Sequence, residues 1–540
     1  MKEFRNEPHI DWSRKENISE MEKALREVRR QFGRVYPAVI GGKEYTAKRK
    51  LVSFDPAFNS FQAGWEINCP NVGESFISDD TLVNKALQSA LLAFSLWRHE
   101  PISKRAEILK KVANTIRERK FFIAAWLVYE VSKTWDEAIA EVEEAIDFVN
   151  LYTEAASEYS ELSFQPFIRA EKNFGKFVPR GITAAISTWN FPFALSVEKI
   201  VASLVAGCPV LFKPAEQAFV IGWEVVRCFL DAGVPQELIA YLPGDGETGA
   251  LLVKSPFVNQ ISFTGSKEVG LRILRVAQQT PGFDGPKRVD VEMGGNNASL
   301  VFESAIRDMA IADWIKSKFG FNGQKCSALQ RGIIVGSPKN RWVREFISRL
   351  GEAAESLNMG HPQFSENSCT GLIDLDAYNR MREKMVMLVK TLGKESVICG
   401  GDDFPEMEGW FINPTIFQVS PEQMLRHPLI KEEIFGPVLF VCRVDDFESA
   451  IKLANSSDAA LTAGIHTESK TEIDCFLESI QAGNIYVNRT ITGALVGRQP
   501  FGGYKYSGLG DKVGSVHRLR FFMNEVSVSI NLERHGMILT

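Results

Sequence analysis

Three side chains of the kinds that make and break acyl bonds stand where the sequence pattern places turns. Cys326 lies in FNGQKCSALQ, between a glycine-containing turn and a helix predicted to begin near Ser327, whose first amides would favour the thiolate. A thiolate is a nucleophile, yet a lone cysteine is most often a core thiol, so Cys326 by itself decides nothing. Glu292 closes the apolar run RVDVE and is followed by Met293, Gly294 and Gly295. Burial would push such a carboxylate toward the range of a general base, while exposure would leave an ordinary surface group or helix cap. Asn190 follows Trp189 and precedes Phe191 and Pro192 at another strand end, where its amide could donate to an oxyanion or simply close a turn.

A second group has the form of a phosphate cradle. FTGS, residues 263–266, ends an apolar run and opens a helical one, a geometry that turns backbone N–H groups toward an anion. Gly244, Gly246 and Gly249 around Asp245 add a glycine turn. The order is not the G-x-G-x-x-G fingerprint with its acidic partner, so on motif alone dinucleotide binding and a plain turn are equally open.

Elements must hold these candidates, and apolar periodicity predicts several. The N-terminal part reads as mainly helical. Ser19 and Glu22 form a capping-box pattern with Met21, Leu25, Val28 and Phe32 at helical spacing; residues 104–120 carry Ile108, Leu109, Val112 and Ile116 on one face; residues 137–152 carry Ile139, Val142, Ile146 and Val149. From Gly181 short apolar runs (ITAAIS, PVLF, IAYL, NQISF, RVDVE) alternate with helical stretches, the signature of a parallel sheet with crossover helices. Such sheets bind ligands beyond the carboxyl ends of their strands, which singles out residues 187–190, 213–216, 244–249 and 264–266. A second alternating region runs from about residue 298 to about residue 497, with strands expected at RGIIVG, PVLFVCRV and NIYVN. Residues 161–179 alternate polar and apolar, and NEVSVSINL, residues 524–532, reads as an exposed strand of the kind that pairs between subunits.

Composition excludes several classes of function. At 540 residues, 45% hydrophobic and 24% charged, the chain can bury more than one core, and a net charge of −5 gives no pull toward phosphate backbones, so no nucleic-acid partner is expected. The longest apolar run, VASLVAGCPVLF, falls well short of the roughly 20 residues that span a bilayer, so no membrane segment is expected. The start MKEFRNEPHIDWSRKENISE mixes acids and bases without an apolar core, and a cytoplasmic location is expected. Eight cysteines without a C-x-x-C pair and seven histidines without H-E-x-x-H predict neither a disulfide framework nor a metal site, although a Cys-His pair brought together in space stays open.

Taken in order along residues 179–510, the strings STWNFP, FKPAE, FTGS, VEMGG, GQKC, EEIFGPV and PFGGYKYSG resemble the aldehyde dehydrogenase superfamily, as does the 34-residue separation of Glu292 and Cys326. The resemblance implies an α/β fold with two Rossmann-like domains and a small β flap for oligomerisation. Residues 1–157 and 179–291 would form an NAD-binding domain with an N-terminal helical extension, residues 292–510 a catalytic domain, and residues 158–178 and 511–540 oligomerisation segments. It implies that Cys326 attacks an aldehyde, that the Asn190 amide and the Cys326 N–H hold the oxyanion, and that Glu292 activates the water that hydrolyses the thioester. Cofactor contacts are implied at Ser187, Trp189, Lys213, Glu216, Gly246, Ser266, Glu433 and Phe435. A carboxylate at the adenosine ribose would repel a 2′-phosphate, so Glu216 favours NAD over NADP.

Within the superfamily FRNEP, VYEVSKTWDEAIAEVEEAIDFV, GQKCSA and NRTITGALVGRQPFGG are similar to the 1-pyrroline-5-carboxylate dehydrogenases, which oxidise L-glutamate γ-semialdehyde in proline catabolism. That likeness implies that Ser327 and the backbone amides of Gly493 and Ala494 bind the substrate's α-carboxylate, an anion nest. It further implies a homo-oligomer of dimer size or larger, and a separate proline dehydrogenase as a partner, since the chain is too short to carry a fused one. The glycine turn PGDGETGALL is one residue shorter than the family pattern, which puts a contact at Gly249 in question, and residues 54–74 match nothing in it. Other readings are a dehydrogenase for a different carboxylate-bearing aldehyde such as succinate semialdehyde, and a catalytically silent binding protein.

Overall fold

The computed structural model describes residues 4–57, 60–61, 67–68, 70–160, 162–163 and 171–532. Much of the unmatched stretch 54–74, most of 161–170 and the last part of 511–540 therefore lie outside the described residues.

Aliphatic runs that are buried on both faces pair side by side and are covered by helices, as parallel strands require. The first sheet has eight strands, ordered Gly508–Leu509, Arg288–Glu292, Val258–Thr264, Ile182–Ile186, Val210–Lys213, Ile239–Tyr241, Ala38–Ile40 and Lys43–Tyr45. The five middle strands are parallel, and the chain order reverses between Ile182–Ile186 and Val258–Thr264, which makes a switch point there. The second sheet has seven strands, ordered Val397–Cys399, Thr415–Val419, Val438–Val444, Leu329–Val335, Asn297–Phe302, Thr462–His466 and Asn484–Val487, all parallel except the first. Only residues 293–296 separate the end of Arg288–Glu292 from the start of Asn297–Phe302. The carboxyl edge of the first sheet thus meets the amino edge of the second.

The N-terminal part is helical as expected in the main, with strands added. Helices Lys15–Arg29, Ile102–Glu118 and Trp135–Ala155 are present with the expected faces buried, but Ala38–Ile40 and Lys43–Tyr45 extend the first sheet, and Arg34–Tyr36, Asn71–Phe76 and Lys50–Phe54 form a small sheet of their own. Arg34–Tyr36, Ala38–Ile40 and Lys43–Tyr45, at three residues each, are too short for a period of two to show. The capping box at Ser19 and Glu22 is also corrected: the helix already begins at Lys15, after Arg14, so both residues lie inside it. Helix Lys120–Val131 gave no signal because it is buried almost all round, which erases the amphipathic stripe.

Two buried carboxylates in this helical layer hold the first sheet's helices by their ends. Glu130 accepts from the N–H groups of Val220 (2.9 Å) and Ile221 (2.8 Å) at the start of helix Phe219–Asp231. Glu141 accepts from Phe193 N (2.8 Å) and Ala194 N (3.1 Å) at the start of helix Ala194–Ala206, and its other oxygen pairs with Lys133 (2.5 Å). Helix N-termini expose unpaired N–H groups and positive charge, so each carboxylate satisfies two donors. Lys133 in turn sits 3.8 Å from the Phe191 ring, which fixes the loop carrying Asn190.

The expected C-terminal strand exists as Met523–Asn531 and runs antiparallel to Glu171–Pro179 of the same chain, with Leu162–Ser163 on the far side. Among the described residues no helix is long and apolar enough to cross a membrane. Of the seven cysteines among them, five are buried, Cys475 is exposed, and Cys326 is partly accessible; Cys69 lies outside the described residues.

Candidate active site

A cavity of about 600 Å³ opens where the two sheets meet. It is lined by Asn190, Glu292 and Cys326; by Ser187, Trp189, Lys213, Glu216, Gly246, Ser266, Glu433 and Phe435; and by Ser327, Gly493 and Ala494, while Gly244 and Asp245 of the glycine turn do not reach it. Gly249, left in question by the shortened turn, lines it too. Residues 187–190, 213–216, 264–266 and Glu292 arrive from the carboxyl ends of first-sheet strands, whereas Cys326 and Glu433 precede the second-sheet strands Leu329–Val335 and Val438–Val444. Gly493 and Ala494 come from the loop after Asn484–Val487, which folds back so that Ile491 N–H donates to Ser317 Oγ (3.1 Å).

The helix expected at Ser327 is absent. Residues 325–327 form a tight turn, with Ala328 N–H donating to Lys325 O at 3.0 Å, and the chain runs straight into strand Leu329–Val335. Three left-handed residues, Phe321, Asn322 and Gly323, bring the chain into that turn. Gly323 has no substitute, because a Cβ there would lie 2.3 Å from the Gly436 carbonyl oxygen. Asn297 braces the turn from the neighbouring strand by donating to Cys326 O (2.8 Å) and Ala328 O (2.9 Å). Without a helix end, the thiolate is not favoured as expected: burial, then the charges of Glu433 and Glu292, push the Cys326 thiol up. Cys326 rests as a thiol that needs a base.

Asn190 is buried, its Oδ1 accepting from Thr188 Oγ1 (2.9 Å) and its Nδ2 donating to Gln324 O (3.1 Å) two residues before the cysteine. One amide hydrogen thereby fixes the side chain beside Cys326, and the second is left to donate. Glu292 is only 8% exposed, and its Oε2 has no hydrogen-bond partner. Burial and the neighbouring Asp290 raise it well above the ordinary carboxylate range, against the pull of Arg518 and Lys199.

Several features of the remaining wall suit a bound nucleotide. The buried Ser187 Oγ has no partner, and a Cβ at Gly246 would meet no protein atom, so both face free space. Lys213 is held by Pro214 O (2.9 Å) and Glu216 Oε2 (3.3 Å), which places a cation and a half-exposed carboxylate side by side. Ser266 caps helix Lys267–Gln279. Trp189 meets Phe435 edge-on at 5.5 Å. Glu433 accepts from Gly295 N (2.9 Å), and burial raises it to about 7 despite Lys318 and Lys384.

Three lining or supporting groups escaped the sequence reading. Glu144 lines the cavity and is raised to about 8, first by burial and then by Glu141. In sequence it is one acid of a Glu pair on a helix, which looks like a solvated face. Lys199 and Arg518 are buried behind Glu292; the pair Glu198-Lys199 inside the apolar run ALSVEKIVASLVA was a signal for the first, and nothing local marked the second.

Comparison with known proteins agrees along the whole chain. Residues 71–528 match the model of the aldehyde dehydrogenase family. A protein named 1-pyrroline-5-carboxylate dehydrogenase 1 from Halalkalibacterium halodurans is 36% identical over 532 residues, covering 97% of this chain and 99% of the relative. The 1-pyrroline-5-carboxylate dehydrogenase of Bacillus subtilis is 35% identical over 528 residues, with the same coverage of 97% and 99%. Among solved structures, 1-pyrroline-5-carboxylate dehydrogenase from Thermus with bound NAD superposes with a TM-score of 0.91 at 37% identity, covering 98% of this chain and 99% of that one. Proline utilization A from Bdellovibrio bacteriovorus gives 0.92 at 34% identity, covering all of this chain but 54% of its own. Matched in sequence over nearly its full length and in fold at this level, the chain belongs to the aldehyde dehydrogenase family.

Proposed function

We propose that the protein oxidises L-glutamate γ-semialdehyde, the open form of 1-pyrroline-5-carboxylate, to L-glutamate with NAD. The observation that carries this reading is the shared cavity: Ser327, Gly493 and Ala494 face the same space as Cys326, Asn190 and Glu292. Gly493 is left-handed (φ 72°) and its carbonyl accepts from Arg489 (3.2 Å), an arrangement suited to a backbone anion nest. Glu144 lines the same cavity and is assigned to the substrate's α-ammonium group, whose charge would draw its raised carboxyl toward the ionised form. The relatives bearing this activity in their names, and the NAD in the Thermus structure, support the same assignment.

In this mechanism Cys326 Sγ gives its proton to Glu292 and adds to the aldehyde carbon. The new oxyanion accepts from the free Asn190 Nδ2 hydrogen and the Cys326 N–H. Bound NAD would supply a hydride acceptor, so that the tetrahedral carbon on Cys326 loses hydride as the carbonyl re-forms and a thioester is left on Cys326. Glu292, having released its first proton to solvent, takes a proton from water as the water oxygen attacks the thioester carbon, and the C–S bond breaks to free the carboxylate and the cysteine. Ser187, Trp189, Gly246 and Ser266 are assigned to the cofactor's phosphates and nearby groups, Lys213 and Glu216 to the adenosine ribose, and Glu433 with Phe435 to the nicotinamide ribose. The carboxylate of Glu216 favours NAD over its 2′-phosphorylated form.

The boundaries 1–157 with 179–291, 292–510, and 158–178 with 511–540 follow from the same reading as cofactor, catalytic and oligomerisation parts. Strand Met523–Asn531, which has no neighbour on its outer edge among the described residues, is the proposed contact with a second copy. A separate proline dehydrogenase would supply the substrate. The test is NADH formation with glutamate γ-semialdehyde, succinate semialdehyde and an aldehyde lacking a carboxylate. A strong preference for the first is expected, and equal turnover of all three would overturn the substrate assignment.

A further inference from the structure

Directly behind Glu292 lies a cluster of buried charges that the reaction itself does not use. Arg518, in the turn of helix Val516–Phe522, is fully buried; its Nε donates to Glu198 Oε1 (2.8 Å) and its Nη2 to Asp290 Oδ2 (2.8 Å) and Ser262 Oγ (3.0 Å). Glu198 also accepts from Tyr152 Oη (3.1 Å), and its second oxygen stands 3.9 Å from Lys199 Nζ without a hydrogen bond. Lys199 donates to Thr264 Oγ1 at 2.8 Å. Asp290 and Glu292 are two apart on one strand, so their side chains share a face of the sheet.

When ionised, the two cations and two carboxylates sum to zero. Such a cluster costs more to bury than apolar residues of the same size, and none of its members reaches solvent. Its field falls on Glu292, the carboxylate that does open on the cavity. The other charged or titratable groups acting on Glu292 or feeling its charge among the described residues are Lys512, from the loop after Gly508–Leu509, and Cys326 across the cavity.

We propose that Arg518 is a positioning residue for the active site: by holding Glu198 and Asp290 as ion pairs it balances the charge behind Glu292 and so sets how readily Glu292 takes a proton. This rests on the reading of Glu292 as the base of thioester hydrolysis. Through Arg518 the C-terminal segment thereby acts on the second half of the reaction.

The experiment follows the acid limb of kcat, at saturating NAD and glutamate γ-semialdehyde, in a charge-balance series. Asp290→Asn leaves one net positive charge behind Glu292, and the limb is expected to move about one unit to lower pH, roughly tenfold in rate on the limb. Glu198→Gln makes the same change of charge from a different element and should move it the same way. Asp290→Asn combined with Arg518→Met removes one charge of each sign and should return the limb to the wild-type position, which a purely structural role would not do. A limb that stays put in both single variants, or that fails to return in the double variant, overturns the proposal. Glu292→Gln separates the two readings. If it keeps wild-type turnover and limb, the base assignment fails first; if it loses turnover while the series leaves the limb unmoved, the role of Arg518 alone fails.

Discussion

The two sheets contribute to one cavity from opposite ends of their strands. The first offers carboxyl ends, and with them the groups that handle charge: Asn190, Lys213, Ser266 and Glu292. The second offers amino ends, and with them Cys326 and Ser327, the groups proposed to hold the substrate covalently and by its carboxylate. Their buried charges differ as well. Behind Glu292 Arg518 is paired with two carboxylates, while on the cysteine side Lys318 is fully buried with no hydrogen-bond partner and is pushed down to about 7 by burial. A rule about carboxyl ends therefore finds half of a site that lies between two sheets.

The sharpest way to break this division is to remove one side at a time. Cys326→Ala should lower NADH production by roughly 10⁴-fold or more in both the first turnover and the steady state. Glu292→Gln should cut steady-state turnover by about 10²–10⁴-fold and slow the first turnover as well, because Glu292 takes the Cys326 proton before it activates the water. A burst of one NADH per site at the wild-type rate, visible by stopped flow, would mean that the first sheet's carboxylate is needed only to hydrolyse the thioester, not to form it. Because Glu292 is raised, wild-type hydrolysis should slow as pH falls, through a range above that of an ordinary carboxylate.

Smaller effects sharpen the contrast. Asn190→Ala should reduce kcat by about 10²–10³-fold, since the oxyanion keeps only the Cys326 N–H. Ser327→Ala should raise KM for the semialdehyde by about tenfold, with little change in kcat and none for an aldehyde without a carboxylate. Equal losses for both aldehydes would remove Ser327 from the anion nest. Lys318→Met should stabilise the protein by roughly 1–4 kcal/mol, read as a rise in Tm. The sign follows from linkage: a lysine depressed to about 7 in the folded chain destabilises fully below that pH, and the penalty fades as pH rises toward its unfolded value. The gain in Tm should therefore be largest below pH 7 and shrink in alkaline buffer.

Read alone, the sequence determines the alternating strands and helices from Gly181 onward, the strand-end positions of Asn190, Ser266 and Glu292, and the motif order that marks the family. These rest on local period and turn chemistry, which a linear string records. It also named Cys326 and the strand at RGIIVG, but placed a helix start near Ser327 where residues 325–327 instead form a tight turn that leads straight into Leu329–Val335. The N-terminal strands Arg34–Tyr36, Ala38–Ile40 and Lys43–Tyr45 were lost because three residues carry no period.

Only the tertiary structure decides what surrounds the chemistry. Glu144 becomes a cavity wall, the thiol of Cys326 is raised rather than lowered, and Arg518 reaches Asp290 across more than two hundred residues of chain. Desolvation and Coulomb interactions depend on distance in space, and the pairs that set them here are distant in sequence.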